Sequence, residues 1–184
     1  LPIKPNLFPL FIGLILFVWA LSGFFYYQIS SPAGDSTQAV TISIPPGATL
    51  KQISNDLKDH NLIRSTSAFR LLANIRKKQT HLQIGEYELN PSMLPVDILK
   101  AITSGKTVLH PITIPEGYRI TEIAELLAQK ISIDKEEFIK ESRNKDLIKI
   151  LNITSGSLEG YLFPETYHFS KHTTEQKIIQ TMLN

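Results

Sequence analysis

The chain has 184 residues, a formal net charge of +2 and no cysteine. This length suffices for one or two domains with real cores, and the basic residues are too few and too scattered to indicate a nucleic-acid partner. The lack of cysteine excludes disulfides, thiolate metal sites and cysteine nucleophiles. The five histidines are dispersed and the nine glycines form no phosphate-binding loop, so we expect neither a metal site nor a cofactor.

An uncharged segment near the start predicts a membrane anchor. No charged residue lies between Lys4 and Asp35, and residues 7–29 are almost wholly apolar. About 20 such residues span a bilayer core. The alternative is a cleaved signal peptide, whose apolar region is usually only about 7–15 residues long. We therefore predict a transmembrane helix over 7–29 and a cytoplasmic stub over 1–6.

A small, polar linker is expected at 30–39, SSPAGDSTQA, and the chain then repeats itself. The sequence ISIPPGATLKQISNDL, residues 42–57, aligns at an offset of 70 with ITIPEGYRITEIAELL, residues 112–127. Each copy predicts an alternating strand, a turn containing Pro and Gly, and a helix with one apolar face. Thr49 and Thr121 are the expected N-caps of these helices.

The segments that follow the two helices are also parallel. Second helices are expected at 65–78 and 134–144, and Asp134 and Glu137 have the spacing of a capping box. The second copy adds a short helix in DLIKILN.

A further strand, polar turn and helix are expected in 85–106 and again in 165–184, which align at an offset of 80. In the first of these, Pro95 suits the first helical turn and Gly105 the C-terminal cap. Each copy therefore has the order strand–helix–helix–strand–helix. This order predicts α+β domains with small, mostly antiparallel sheets covered by helices.

The first copy, residues 40–106, resembles a LysM-type βααβ peptidoglycan-binding module. The resemblance implies that this part of the chain holds glycan. Residues 107–184 then form a second domain.

The two copies differ most in SLEGYLFPETYHFS, residues 157–170. The ten residues LEGYLFPETY, 158–167, resemble the signature of the YceG-like family, the endolytic murein transglycosylases. Glu165 stands where that signature usually has Asp, which keeps the carboxylate but lengthens its side chain. The order of anchor, LysM-like module and IPEGY strand also resembles this family, whose catalytic domain continues beyond the point where this chain ends. The first residue is Leu rather than Met, and the last residues resemble an unfinished helix. We therefore expect a fragment cut at both ends, with a truncated catalytic domain and little activity of its own.

The resemblance implies a lytic transglycosylase of the bacterial inner membrane, single-pass, with its catalytic part on the periplasmic side. Such an enzyme cleaves between N-acetylmuramic acid and N-acetylglucosamine in nascent peptidoglycan and leaves a 1,6-anhydro end. The resemblance also implies that Glu159 is the catalytic acid. The partners it implies are peptidoglycan strands, the membrane and peptidoglycan synthases. Gly160, Tyr161, Glu165 and Tyr167 are the candidate substrate-binding residues.

The residue types suit this chemistry. Most glycosidases need two carboxylates, whereas an enzyme that uses the sugar's own C6 hydroxyl as nucleophile needs only one acid. Gly160 allows close approach of a sugar ring, and Pro164 fixes the turn. The aromatic residues Tyr161 and Tyr167 either stack on sugars or belong to the core. Glu165 either binds a sugar hydroxyl or orients Glu159, or it caps the last strand.

Two other functions remain open at this point. The repeat itself suits a non-catalytic, membrane-anchored peptidoglycan-binding protein, because two similar units could provide two glycan sites. The apolar anchor also suits a cell-wall scaffold that recruits synthesis or division partners.

Overall fold

A computed structural model of the chain describes residues 8–150 and 153–183. The expected cytoplasmic stub, 1–6, lies outside the described residues. The first element is helix α1, Phe8–Ser30, which confirms the expected helix to within one residue at each end. Its segment Phe11–Ser30 has a mean hydropathy of 1.7 and none of it is buried. By length and composition α1 could cross a membrane.

The predicted order of elements is confirmed in both copies. The first copy consists of β1 (Val40–Ile44), α2 (Leu50–Asp59), α3 (Thr66–Ile75), β2 (Gly85–Leu89) and α4 (Pro95–Ser104). The second consists of β3 (His110–Thr113), α5 (Ile120–Lys130), α6 (Lys135–Glu141), α7 (Lys145–Ile150), β4 (Thr166–Phe169) and α8 (Glu175–Met182). The additional helix of the second copy is α7; residues 151 and 152 at its expected end lie outside the described residues.

Each copy has a two-stranded sheet, β1 with β2 and β3 with β4. The second sheet is antiparallel, with His110 opposite Phe169 and Thr113 opposite Thr166. The mixed α+β class is thereby confirmed. The LysM-like character of 40–106 and the catalytic character of 107–184 stay predictions.

The apolar positions that the two copies share form the cores of both. All sixteen are at most 8% exposed. They are Ile42, Ile44, Ile53, Leu57, Tyr87, Leu89, Ile98 and Leu99, with their counterparts Ile112, Ile114, Ile123, Leu127, Tyr167, Phe169, Ile178 and Ile179. Burying such side chains contributes roughly 1.5–3 kcal/mol each before the opposing entropy. The apolar periodicity of the sequence therefore identifies the buried core residues of both copies.

The first helices of the two copies begin at equivalent residues but are capped differently. Thr49 is the N-cap of α2 as predicted, and it forms a capping box with Gln52. The prediction for Thr121 is wrong, because α5 begins at Ile120 and Arg119 occupies the N-cap position. At the repeat offset of 70, Arg119 is the counterpart of Thr49.

The other helix ends mostly match the sequence. Asp134 caps α6 by accepting hydrogen bonds from the N–H groups of Glu136 and Glu137. The expected capping box with Glu137 is wrong, since the N–H of Asp134 donates to Glu175 Oε1 at 2.8 Å instead. Pro95 opens α4 and Gly105, at φ 71°, ends it, as predicted.

The chain divides into two compact units. The first comprises the chain up to Ile42, Ala48–Gln83 and Glu88–Gly105. The second comprises Ser43–Gly47, Ile84–Tyr87 and the chain from Lys106 onward. The boundary between Gly105 and Lys106 falls at the junction of the two copies.

Candidate active site

The segment 158–165, between α7 and β4, has no regular secondary structure but is fixed at two points. Leu158 is 0% and Leu162 8% exposed, and both pack into the core of the second unit. The four residues Glu159, Gly160, Tyr161 and Phe163 remain exposed. Buried and exposed residues therefore alternate in this loop. Its two leucines anchor it to the core, and its polar and aromatic residues are exposed to solvent.

Backbone hydrogen bonds pin the same loop to its surroundings. The N–H of Leu158 donates to Ser142 O at 2.9 Å, and the N–H of Phe163 donates to Met182 O at 3.0 Å. The hydroxyl of Tyr167 donates to Phe163 O at 2.9 Å. These bonds involve Ser142 directly after α6, Met182 of α8 and Tyr167 of β4, so the loop is held at three separate elements and is preorganised.

Gly160 has φ +80°, a left-handed conformation that residues with a Cβ rarely adopt. A Cβ built on Gly160 would meet no atom within 4 Å. The positive φ angle therefore favours glycine at this position. No described atom fills the space next to its Cα, so a sugar ring could approach the backbone there.

Glu159 lies against the N-terminus of α5. Its Oε1 accepts a hydrogen bond from the N–H of Ile120 at 3.2 Å, between residues 39 apart in sequence. The neighbouring N–H, that of Arg119, donates to Glu122 Oε2 at 2.8 Å. A carboxylate suits this position, because helix N-termini carry unsatisfied N–H groups and a partial positive charge.

The first helices of the two copies differ in how their N-terminal N–H groups are capped. In the first copy the Thr49 side chain accepts from the N–H of Gln52 and Gln52 accepts in return from Thr49. In the second copy Glu122 retains the part of Gln52, but Arg119 has no side-chain acceptor to replace the threonine. Glu159 supplies an acceptor to α5 at a different point, on the N–H of Ile120, the counterpart of Leu50, and not on the N–H of Glu122, the counterpart of Gln52.

The structure separates the two candidate tyrosines. Tyr161, two residues after Glu159 in the sequence, is 43% exposed. Tyr167 is 8% exposed and stacks on Phe169 at a centroid distance of 5.6 Å. Burial, followed by the charge of Glu165, raises the pKa of Tyr167. Tyr167 thus has little exposed surface for contact with a sugar. Its hydroxyl stabilises the loop by donating a hydrogen bond to the carbonyl of Phe163.

Glu165 contributes to the sheet through its backbone. The carbonyl of Glu165 accepts a hydrogen bond from the N–H of Ile114 at 2.9 Å, which continues the pairing of β3 with β4. Glu165 itself is exposed to solvent. Its role toward a sugar or toward Glu159 stays a prediction. In the described part of the chain, no group of three or more His, Cys, Asp or Glu residues is arranged to hold a metal.

Sequence reasoning missed the residues at the start of α5. Arg119, Ile120 and Glu122 shape the surroundings of Glu159, and Tyr118, 41% exposed, precedes them. Tyr118 and Glu122 also line a cavity of about 330 Å³ along α5. The signal was present in the repeat, since the offset of 70 aligns Arg119 with the capping Thr49 and so shows that a cap is lost.

The chain is similar to known proteins of one family. Residues 42–184 match the YceG-like family, to which the chain belongs. It is 32% identical over 205 residues to an endolytic murein transglycosylase of Streptococcus pneumoniae, covering 94% of this chain and 37% of that protein. It is 32% identical over 165 residues to a Bacillus subtilis protein of the same name, covering 81% and 46% respectively.

A solved structure is also similar. A yceG-like protein from Listeria monocytogenes is 30% identical, with a TM-score of 0.46, and the match covers 80% of this chain and 53% of that one. The chain thus spans 37% and 46% of the lengths of the two curated relatives.

Proposed function

We propose that this chain is part of a membrane-anchored lytic transglycosylase that acts on peptidoglycan, with Glu159 as its acid. The observation that carries the proposal is the placement of Glu159, an exposed carboxyl group tethered to the start of α5 within a pinned loop. Membership of the YceG-like family and the names of the two curated relatives support the reaction class.

The hydrogen bond assigns different tasks to the two oxygens of Glu159. Oε1 is held by the N–H of Ile120, and among the described residues Oε2 has no hydrogen-bond partner. In a protonated carboxyl group the carbonyl oxygen can accept that hydrogen bond while the other oxygen carries the proton. Oε2 is therefore the oxygen that would face the glycosidic bond.

The reaction then needs only this one carboxyl group. Glu159 donates its proton to the glycosidic oxygen as the C1–O bond between N-acetylmuramic acid and N-acetylglucosamine breaks. The C6 hydroxyl oxygen of the same muramic acid bonds to C1, and the Glu159 carboxylate takes the hydroxyl proton. One bond is exchanged for another, no water is added, and the product carries a 1,6-anhydro end.

Exposed side chains of the loop supply a sugar-binding surface in this proposal. Tyr161 and Phe163, 43% and 58% exposed, present aromatic rings on either side of Leu162 in the sequence. Sugar rings have apolar faces that pack well on such amphipathic rings. Gly160 lies between this pair and Glu159 and leaves room at the backbone.

A digest of isolated sacculi by the full-length protein tests the proposal. Glu159→Gln keeps the Oε1 acceptor for Ile120 but cannot donate an acidic proton, so it should stay folded and release no anhydro-ended muropeptides. The matched control is Glu136→Gln, an exposed glutamate on α6, which should digest like the wild type. A Glu159→Gln variant as active as the wild type would overturn the assignment.

The repeat keeps a glycan-binding protein as the second candidate. It predicts that the protein sediments with sacculi, that Glu159→Gln binds equally well, and that deletion of residues 40–106 abolishes binding. If binding behaves in this way and no anhydro product forms with wild-type protein, the binding function is the correct one.

A further inference from the structure

A positively charged cavity lies at the C-terminal end of α1. It measures about 340 Å³, and its lining includes Tyr27 and Gln28 of α1, Lys58 of the last turn of α2, Asn61 and Arg64. No Asp or Glu lines it. The two cations therefore face the same space without a carboxylate in its wall.

Arg64 is held in a fixed orientation. Its Nε donates to Pro32 O at 2.6 Å, and its Cζ lies 5.3 Å from the centroid of the Tyr27 ring. Among the described residues its two terminal nitrogens have no hydrogen-bond partner. An arginine positioned in this way presents a planar pair of donors, the arrangement that suits bidentate contact with a phosphate.

Lys58 and Gln28 add two groups that lack partners. In the part of the chain that the structure describes, no carboxylate forms an ion pair with Lys58. Gln28 Oε1 is buried and accepts no hydrogen bond from any described residue. A buried acceptor without a donor is unfavourable, so a ligand that brings a hydroxyl or amine to this oxygen would be favoured.

We propose that this cavity binds the headgroup of an anionic phospholipid, with the phosphate on Lys58 and Arg64 and a headgroup hydroxyl on Gln28 Oε1. The candidate membrane span Phe11–Ser30 ends at the residues that line the cavity. Tyrosines at the end of such a span lie at the depth of lipid headgroups. The proposal rests on the membrane anchor and is independent of the chemistry of Glu159.

The test counts lipids on the full chain in nanodiscs that contain phosphatidylglycerol and phosphatidylcholine. After mild extraction, native mass spectrometry should find phosphatidylglycerol retained in preference to phosphatidylcholine. Lys58→Gln combined with Arg64→Gln should weaken this retention roughly 25-fold, about fivefold for each cation at a membrane surface. Lys58→Gln alone leaves the contacts of Arg64 in place and should weaken it about fivefold.

The matched control is Lys51→Gln combined with Arg70→Gln, which removes two exposed cations outside the cavity, one from α2 and one from α3. Retention that falls equally in the control would show diffuse charge and overturn the site. So would equal retention of the two lipids, or displacement of phosphatidylglycerol by millimolar inorganic phosphate. Carbonate extraction of every variant reports insertion separately, and the Glu159→Gln variant should retain lipid like the wild type.

Discussion

In the proposed function, Glu159 meets a structural and a chemical need at one position. The N-terminus of α5 lacks the side-chain acceptor that Thr49 gives to α2, and Glu159 Oε1 accepts instead from the first N–H of α5, that of Ile120, at 3.2 Å. Loss of a helix cap destabilises a protein by about 1 kcal/mol. A Glu159→Ala variant therefore mixes two effects, whereas Glu159→Gln retains the acceptor and changes only the proton.

The contribution of the Ile120 N–H can be tested through the backbone itself. Ile120 is the first residue of α5, where proline is well tolerated. Arg119 has φ −80° and ψ 158°, which a following proline accepts. Ile120→Pro should fold but release Glu159, and we expect kcat for sacculus digestion by the full-length protein to fall about 10- to 100-fold, in line with a lost positioning hydrogen bond.

The control for this change is Ile120→Ala, because Ile120 is only 5% exposed and any truncation affects the core. Both variants should lose stability, but only the proline variant should lose kcat beyond that loss with KM little changed. Equal kcat in the two variants would show that the hydrogen bond has no part in positioning Glu159.

At the scale of elements, α2 and α3 end in the same way. In each, the N–H two residues beyond the C-cap reaches back to a helix carbonyl, as in Leu62 N to Leu57 O and Lys78 N to Ala73 O. The residue between is left-handed, Asn61 at φ 56° and Lys77 at φ 53°. This is the Schellman motif, in which glycine or asparagine is preferred.

Lys77 is the less suitable of the two left-handed residues. Lys77→Gly should raise the free energy of unfolding by about 0.5–1 kcal/mol, because glycine removes the Cβ strain at positive φ. Chemical denaturation followed by circular dichroism measures this change. Lys78→Gly, at a residue without positive φ, should lower stability, and a Lys77→Gly variant no more stable than the wild type would contradict the strain.

An ion-pair network gives the second unit a pH-dependent stability. Glu86, 7% exposed, accepts from Lys171 Nζ at 2.6 Å and contacts His110 Nε2 at 2.8 Å. The hydrogen bond from Lys171 lowers the pKa of Glu86 despite the opposing effect of burial. Because the folded pKa lies below the unfolded one, this stabilisation is complete above the unfolded value and disappears as the pH falls through the folded one.

Removing Lys171 should reveal that dependence. Lys171→Met should lower the free energy of unfolding by about 1–2 kcal/mol near pH 7, since a buried carboxylate loses its main partner. The difference from the wild type should shrink as the pH falls through the lowered folded-state pKa of Glu86, below which this carboxyl group is protonated in both states. Lys135→Met, which breaks an exposed pair with Glu125, should change little, and a pH-independent effect of Lys171→Met would exclude this role for Glu86.

The sequence predicts the helices, the strands and their buried positions, but not the contacts between residues that are distant in sequence. Apolar periodicity and the offsets of 70 and 80 identify the elements and cores of both copies, because each depends on neighbours within one helix or strand. The contact between Glu159 and Ile120 joins residues 39 apart, and no local pattern encodes it. Tyr167 is intermediate, since its alignment with the buried Tyr87 already favours the core over a sugar-binding surface.

At the scale of the whole molecule, the apolar sequence of α1 is not explained by burial in either core. The apolar surface of Phe11–Ser30 is not buried in the described chain, and such a surface is unfavourable in water but suits a bilayer. We propose that it remains attached and anchors the protein. N-terminal sequencing of protein isolated from its native membrane separates this from a cleaved signal, which would leave an N-terminus near Ser31.

Deletion of residues 1–23 tests the anchor while retaining Tyr27 beside Arg64. The shortened chain should move from the carbonate-resistant membrane fraction to the soluble fraction, because too few apolar residues remain to cross a bilayer. Its circular dichroism should lose only the contribution of the deleted helix, since the buried residues of both copies lie beyond α1. Deleting residues 48–59 instead, which removes α2 and its core positions, should unfold the first copy but leave the chain in the membrane. A shortened chain that stayed in the membrane fraction would place the attachment outside α1.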